Sequence, residues 1–178
     1  TPGNRPLQLC FSTARSAVAG LFSDEPNDCD VDDPAPGPPR DAAVRTVLRI
    51  WDFSGPVPRE TFEFRREWLG AFAFSRDART IAVGGRDEIV LLDAQNGSQL
   101  ARVSLPGIGR IRRLAWLCYQ WNVAAISCEE GSETGLEASL NLVELDSARI
   151  EHIANGPRYV LGRSEFSNDG SSMAVLLS

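Results

Sequence analysis

Apolar residues along this chain come in short bursts divided by small polar turns. Four segments repeat one order of events: an apolar stretch, a Ser or its equivalent, a turn, and a second apolar stretch. They are residues 7–20 (LQLCFSTARSAVAG), 70–85 (GAFAFSRDARTIAVGG), 112–127 (RRLAWLCYQWNVAAIS) and 161–177 (LGRSEFSNDGSSMAVLL). Their turns centre on Thr13-Ala14, Arg76-Asp77, Tyr119-Gln120 and Asn168-Asp169-Gly170. Asp-Gly between two apolar runs is a strong hairpin signal.

Three of these hairpins are followed by a further strand closing on an apolar–Asp pair. The strands are residues 47–52 (VLRIWD), 88–93 (EIVLLD) and 140–146 (LNLVELD), and their pairs are Trp51-Asp52, Leu92-Asp93 and Leu145-Asp146. A fourth strand comes next, at 60–66, 98–105 and 148–153. In the first of these, Phe62 and Phe64 alternate with Glu63 and Arg65, as in a half-buried strand. The preceding strands are almost continuously apolar, which predicts cover on both faces. The repeating unit is therefore four antiparallel strands, buried at the inner strands and wetted on one face of the outermost. The expected fold is all-β, with unit one at 1–66, unit two at 67–106, unit three at 107–155 and the first half of a fourth at 156–178. Unit one carries an acidic, proline-rich insertion at 24–43.

This pattern resembles a WD-repeat β-propeller, in which four-stranded blades stand radially. The second unit (AFSRDARTIAVGGRDEIVLLDAQNGSQLARV) has the Phe-Ser, an Asp-containing turn, Gly84-Gly85, Asp87 in the tight turn before the third strand, and Asn-Gly before the fourth. Residues 49–55 (RIWDFSG) contain the Trp-Asp dipeptide itself. TolB-like propellers with F-S-x-D-G turns are similar to nearly the same degree. The WD family places a Gly-His before the innermost strand, and its His reaches a turn Asp and the Trp through a Ser or Thr. Here the single His is His152, on an outer strand, and Leu92 and Leu145 replace the Trp in two units. The family's hydrogen-bonded tetrad is thus not expected in any blade. A blade takes roughly 40–45 residues and a ring about four to eight blades. The expectation is an incomplete ring of about three and a half blades, a fragment of a longer chain, with self-association as the alternative route to closure.

Composition narrows the function classes. The chain has 178 residues, 24 acidic against 18 basic, net −6, and every base is arginine, the signature of a GC-rich coding genome. The acidic excess is accounted for by Asp24, Glu25, Asp28, Asp30, Asp32 and Asp33. The remainder is neutral, with no general attraction for nucleic acid or anionic lipid. No run approaches the ~18 apolar residues of a membrane-spanning helix. Cys10, Cys118 and Cys128 lie in apolar runs and Cys29 in the acidic insertion, without a zinc or redox spacing. They read as reduced thiols in a cytoplasmic setting.

Candidate chemistry sits in the loops. Asp28-x-Asp30-x-Asp32 imitates the start of a calcium loop, but Asp33 stands where Gly is needed and Pro39 where a bidentate Glu is needed. Five prolines in the insertion favour an extended segment instead. The unit-to-unit connections hold Arg65, Arg66 and Trp68, then Arg110, then Arg158 and Tyr159, a composition typical of protein-binding hot spots. The bland alternative is solvated loop charge, with Trp68 and Tyr159 packed between blades. Arg112 and Arg113 open an inner strand, where Glu67 or Glu165 could pair with them. Asp52, Asp87, Asp93 and Asp146 read as turn and strand-end residues. There is no nucleophile elbow, no phosphate loop and no second His for a triad, and no metal or cofactor is implied. The expectation is a non-catalytic scaffold for a protein or peptide partner, binding neither nucleic acid nor membrane. The alternative is an accessory propeller of a larger enzyme, hydrolase-associated or quinoprotein-like, whose catalytic residues lie outside this chain.

Overall fold

The computed structural model describes residues 5–12, 14, 16–23, 45–117, 122–128, 137–157, 164–167 and 172–175. Among these residues there is no helix. Sheet one contains β1 (Arg5–Ser12), β2 (Ala17–Ser23), β3 (Arg45–Asp52) and β4 (Arg59–Glu67), joined in chain order. Sheet two contains β5 (Ala71–Phe74), β6 (Thr80–Gly84), β7 (Glu88–Asp93) and β8 (Gln99–Ser104). Sheet three contains β9 (Arg110–Trp116), β10 (Asn122–Cys128), β11 (Glu137–Glu144) and β12 (Arg149–Pro157). A further pair, β13 (Ser164–Phe166) and β14 (Met173–Val175), is also antiparallel. Neighbouring strands within each four-stranded sheet are antiparallel throughout.

The repeated Ser builds the first turn of the second and fourth units. Ser75 N donates to Thr80 O at 2.8 Å, and Thr80 N donates to Ser75 Oγ at 3.0 Å. Ser75 Oγ and Arg79 N both donate to Asp77 Oδ1, at 2.7 and 3.1 Å, and together they hold that carboxyl below the usual range. Ser167 and Ser172 repeat the lock, with Ser172 N donating to Ser167 Oγ at 3.0 Å. In the third unit the same span closes through the backbone, Leu117 N to Asn122 O at 2.9 Å.

The strand-end acids correct one expectation. Asp52 and Asp93 end β3 and β7, opposite Ala17 and Thr80. Asp52 Oδ1 accepts from Ser54 N at 2.8 Å, and Asp93 Oδ1 from Gln95 N and Asn96 N at 2.8 and 3.0 Å. In the third unit it is Glu144, opposite Asn122, that holds this register position. Leu145-Asp146 lies beyond it, in the turn. Gly97 and Ala148, at φ +73° and +54°, occupy matching places after Asp93 and Glu144. Ser147 Oγ donates to Glu144 Oε2 at 2.9 Å, so a longer acid holds the turn through a side chain rather than through backbone N–H groups.

Sheet two is the hub. Alternate residues along its strands point to opposite faces. Phe72, Ile81, Val83, Val90 and Leu92 join Ala19, Leu21, Leu48, Ile50 and Leu69 in one core, on which Phe62, Phe64, Phe74 and Cys10 pack. Ala71, Ala73, Ala82, Ile89, Leu91 and Val103 join Ile111, Leu114, Val123, Ala125 and Val143 in the other. This division explains why the middle strands read as continuously apolar. Burial pushes the Cys10 thiol up, in keeping with a thiol that serves as a core side chain. The sheets approach closely where side chains are absent: a Cβ on Gly70 would stand 2.0 Å from the Ile111 carbonyl oxygen. At the inner edge, Gln8 clasps the Phe72 backbone in both directions, donating to its carbonyl and accepting from its N–H, each at 3.3 Å. The opposite face of β1 is bare, with Leu7, Leu9 and Phe11 exposed.

Candidate protein-interaction rim

Antiparallel order brings the end of β4, the β6–β7 turn and the β8–β9 connection to one edge of the sheets. Thr46 shapes the first of these: its hydroxyl donates to Arg66 O at 3.1 Å and accepts from Leu69 N at 2.8 Å. The chain turns between them with Trp68 in the left-handed region, φ +63°. The Arg110 guanidinium lies over the Trp68 ring, 3.9 Å from its centroid. A cation over indole at this distance contributes about 0.5–2 kcal/mol, more as water is excluded.

Asp87 supports that pair from the β6–β7 turn, itself at φ +53°. Its N–H donates to Gly109 O at 2.9 Å, its Oδ1 accepts from Gly109 N at 2.8 Å, and its carbonyl accepts from Leu105 N at 2.8 Å. Ile111 N donates to Gly85 O at 3.0 Å, so both neighbours of Arg110 are tied to one turn. The residue that resembles the turn Asp of a WD tetrad thus clamps the connection to the next sheet. An ion-pair bridge lies alongside. Glu88 Oε1 meets Arg66 Nη1 at 3.1 Å, joining sheets one and two, while Glu88 Oε2 meets Arg102 Nε.

The anticipated contact residues are divided by the structure. Arg66, Trp68 and Arg110 come together, with Trp68 half-buried. Arg65 is separated from them because neighbours on a strand face opposite ways. It pairs instead with Glu63, whose other oxygen bonds Arg49 Nε at 2.9 Å. The Arg65 and Arg49 guanidinia, Arg65 foremost, hold the Glu63 carboxyl below its ordinary value. Arg112 is exposed and Arg113 half-buried on β9. At the opposite edge Asp52 and Asp93 close their strands and Asp146 occupies a turn. Arg158, Tyr159, the whole acidic insertion with Cys29, and Cys118 lie outside the described residues.

Glu88, Arg86 and Arg102 were not singled out by the sequence. The signal for Glu88 and Arg102 was their position on adjoining strands, on one face, but it needs the register to be read. His152 is structural rather than part of the rim. Its Nδ1 is 3.3 Å from Asn141 Oδ1, and buried Asn141 donates to Ser127 Oγ at 3.1 Å, a polar chain across sheet three. Among the described residues no group of three or more His, Cys, Asp or Glu is placed to hold a metal ion.

No family model and no curated protein matches the sequence. Solved structures match its fold. The crystal structure of the RRP9 WD40 repeats superposes with TM-score 0.54 at 13% identity, over 85% of this chain and 38% of that one. The structure of U3-55K gives TM-score 0.54 at 13% identity, over 86% and 39%. The crystal structure of a nidogen/laminin complex gives TM-score 0.57 at 12% identity, over 86% and 49%. The chain therefore spans between about two-fifths and one-half of the chains it matches. Its fold is that of a partial WD-like β-propeller.

Proposed function

We propose that this chain is a non-catalytic protein-interaction scaffold whose contact surface is the rim of Arg66, Trp68 and Arg110. The observation that carries the reading is the Arg110–Trp68 stack, held in advance by the Asp87 clamp. Arginine and tryptophan are the side chains most often responsible for interface energy, and a contact already ordered in the free protein loses less entropy on binding. Propellers offer rigid faces on which connections carry the specificity, an argument by analogy of fold. The neutral composition outside the insertion favours a protein or peptide partner over nucleic acid or a lipid surface. The half-buried thiol of Cys10 accords with a reducing, cytoplasmic setting.

Affinity capture from cells of the source organism, with the wild-type chain beside Arg66→Ala, Trp68→Ala and Arg110→Ala, tests the reading. A partner identified by mass spectrometry should be retained by wild type and lost by variants whose circular dichroism and melting remain those of the wild type. Equal capture by all four proteins would refute the rim as the contact surface.

A further inference from the structure

We infer that Thr46 is the positioning residue of this rim: its hydroxyl fixes the backbone that presents the Trp68 ring to Arg110 and to a partner. The inference rests on the scaffold reading above. Trp68 stands at φ +63°. That region is unfavourable for a bulky L-residue, and residues held in it collect at ligand clamps and other functional sites. The next connection between sheets shows the usual solution, since its positive-φ positions are Gly107 and Gly109, at +85° and +76°. A Cβ on Gly107 would meet nothing within 4 Å, so glycine stands there for its backbone freedom and not for room. Elsewhere the left-handed residues are Ala78 and Ala148, which carry only a methyl, and Asp87, of a type that visits this region. A tryptophan at 68 is kept against the preference of its backbone, so the ring is what the position requires.

The restraint comes from a different strand. Thr46 on β3 is 2% exposed, and its hydroxyl makes one bond on each side of Trp68, donating to Arg66 O at 3.1 Å and accepting from Leu69 N at 2.8 Å. Strand register makes this a counterpart of the Asp87 clamp. Ser12 and Ser75 align Leu9 with Phe72 in units one and two. The rows Leu9–Gly20–Arg49 and Phe72–Val83–Val90 then align Arg49 with Val90 and, three residues earlier, Thr46 with Asp87. Each side chain accepts from an N–H of the following connection, Leu69 in one unit and Gly109 in the next, both at 2.8 Å. One clamp places Trp68, the other places Arg110, and the stack forms where the two connections meet. A hydroxyl suits the first clamp because it both donates and accepts, whereas a carboxylate only accepts and has nothing to give the Arg66 carbonyl. At this depth, removing the hydroxyl leaves both backbone groups unpaired.

Nitrogen-15 correlation spectra of the full chain test this through its four tryptophan indole N–H groups, with the Trp68 signal assigned by its loss in Trp68→Phe. Thr46→Val keeps the shape of the side chain without the hydroxyl, and it should displace the Trp68 signal more than the other three. Thr46→Ser restores the hydroxyl and should return the signal to its wild-type place, a rescue that mere filling of the site by Thr46 would not produce. Affinity for the partner identified by capture should fall about tenfold in Thr46→Val, the scale of one lost hydrogen bond, and be retained in Thr46→Ser. Trp68→Gly gives a second measure should Thr46→Val unfold too readily for spectroscopy. Glycine takes a positive φ unaided, so Thr46→Val should lower the urea midpoint less in the Trp68→Gly background than in the wild type. An undisplaced Trp68 signal in Thr46→Val, or equal losses of midpoint in the two backgrounds, overturns the inference. Capture that is lost in Trp68→Ala but kept in Thr46→Val overturns the positioning role while the scaffold reading stands. Equal capture by Trp68→Ala and wild type refutes the scaffold reading itself, and with it any role for Thr46 in binding.

Discussion

Leu9 on β1 and Phe72 on β5 hold the same place in successive units, three residues before the unit's Ser and directed toward the preceding side of the ring. Phe72 is 1% exposed and Leu9 is 56% exposed. Phe11 and Phe74 repeat the contrast one step along: Phe74 packs on the first core, whereas Phe11 is 71% exposed. Local pattern, strand position and orientation agree within each pair. The difference is that sheet one stands before sheet two and no described sheet stands before sheet one. Burial in this architecture belongs to the junction between sheets, not to a strand.

Substitutions at matched positions can break or sharpen that comparison. The largest expected difference is between Phe72→Ala and Leu9→Ala. Removing a fully buried phenyl should cost about 3–5 kcal/mol. Trimming the exposed Leu9 should cost no more than about 0.5 kcal/mol. Urea unfolding of the two variants measures this, and similar midpoints would show that the face of β1 is covered in solution.

Next come the glycines. Gly70→Ala drives a Cβ toward the Ile111 carbonyl oxygen, which cannot move without parting sheets two and three. A cost at the upper end of the ~1–3 kcal/mol overpacking range is expected. Gly20→Ala meets only the Phe22 ring at 2.6 Å and Leu9 at 3.1 Å, side chains on the bare face that can swing aside. It should lower the melting temperature far less, and the reverse order would contradict the assignment of covered and bare faces.

A smaller effect is expected from Asp87→Ala. It removes one side-chain hydrogen bond, worth about 1 kcal/mol, and loosens the connection that carries Arg110. Tryptophan emission should change as the guanidinium leaves Trp68. An unchanged spectrum would show that the stack forms without the clamp.

The smallest effect is the acid limb of stability. Asp77 has a folded pKa below its unfolded value of about 3.9. Its contribution is present above that unfolded value and is lost as pH falls through the folded one. Asp77→Asn should therefore flatten the decline in stability below about pH 4 relative to wild type. An identical decline in both proteins would mean that the Ser75–Asp77 bond adds nothing to the turn.

Much of this protein was determined along the sequence itself. The apolar bursts specify strands, and the Ser–turn–strand units specify antiparallel hairpins. Both depend on period-two side-chain geometry and on turn groups that bond within a few residues of each other. The same locality misplaced the third closing pair, because Leu145-Asp146 copies the dipeptide while pairing register selects Glu144. Tertiary structure decided the rest. Arg110 reaches Trp68, and Glu88 joins Arg66 to Arg102, only because separate sheets are brought edge to edge. Whether an apolar face is core or surface likewise depends on a neighbour that is distant in the chain, and local periodicity carries no record of that distance.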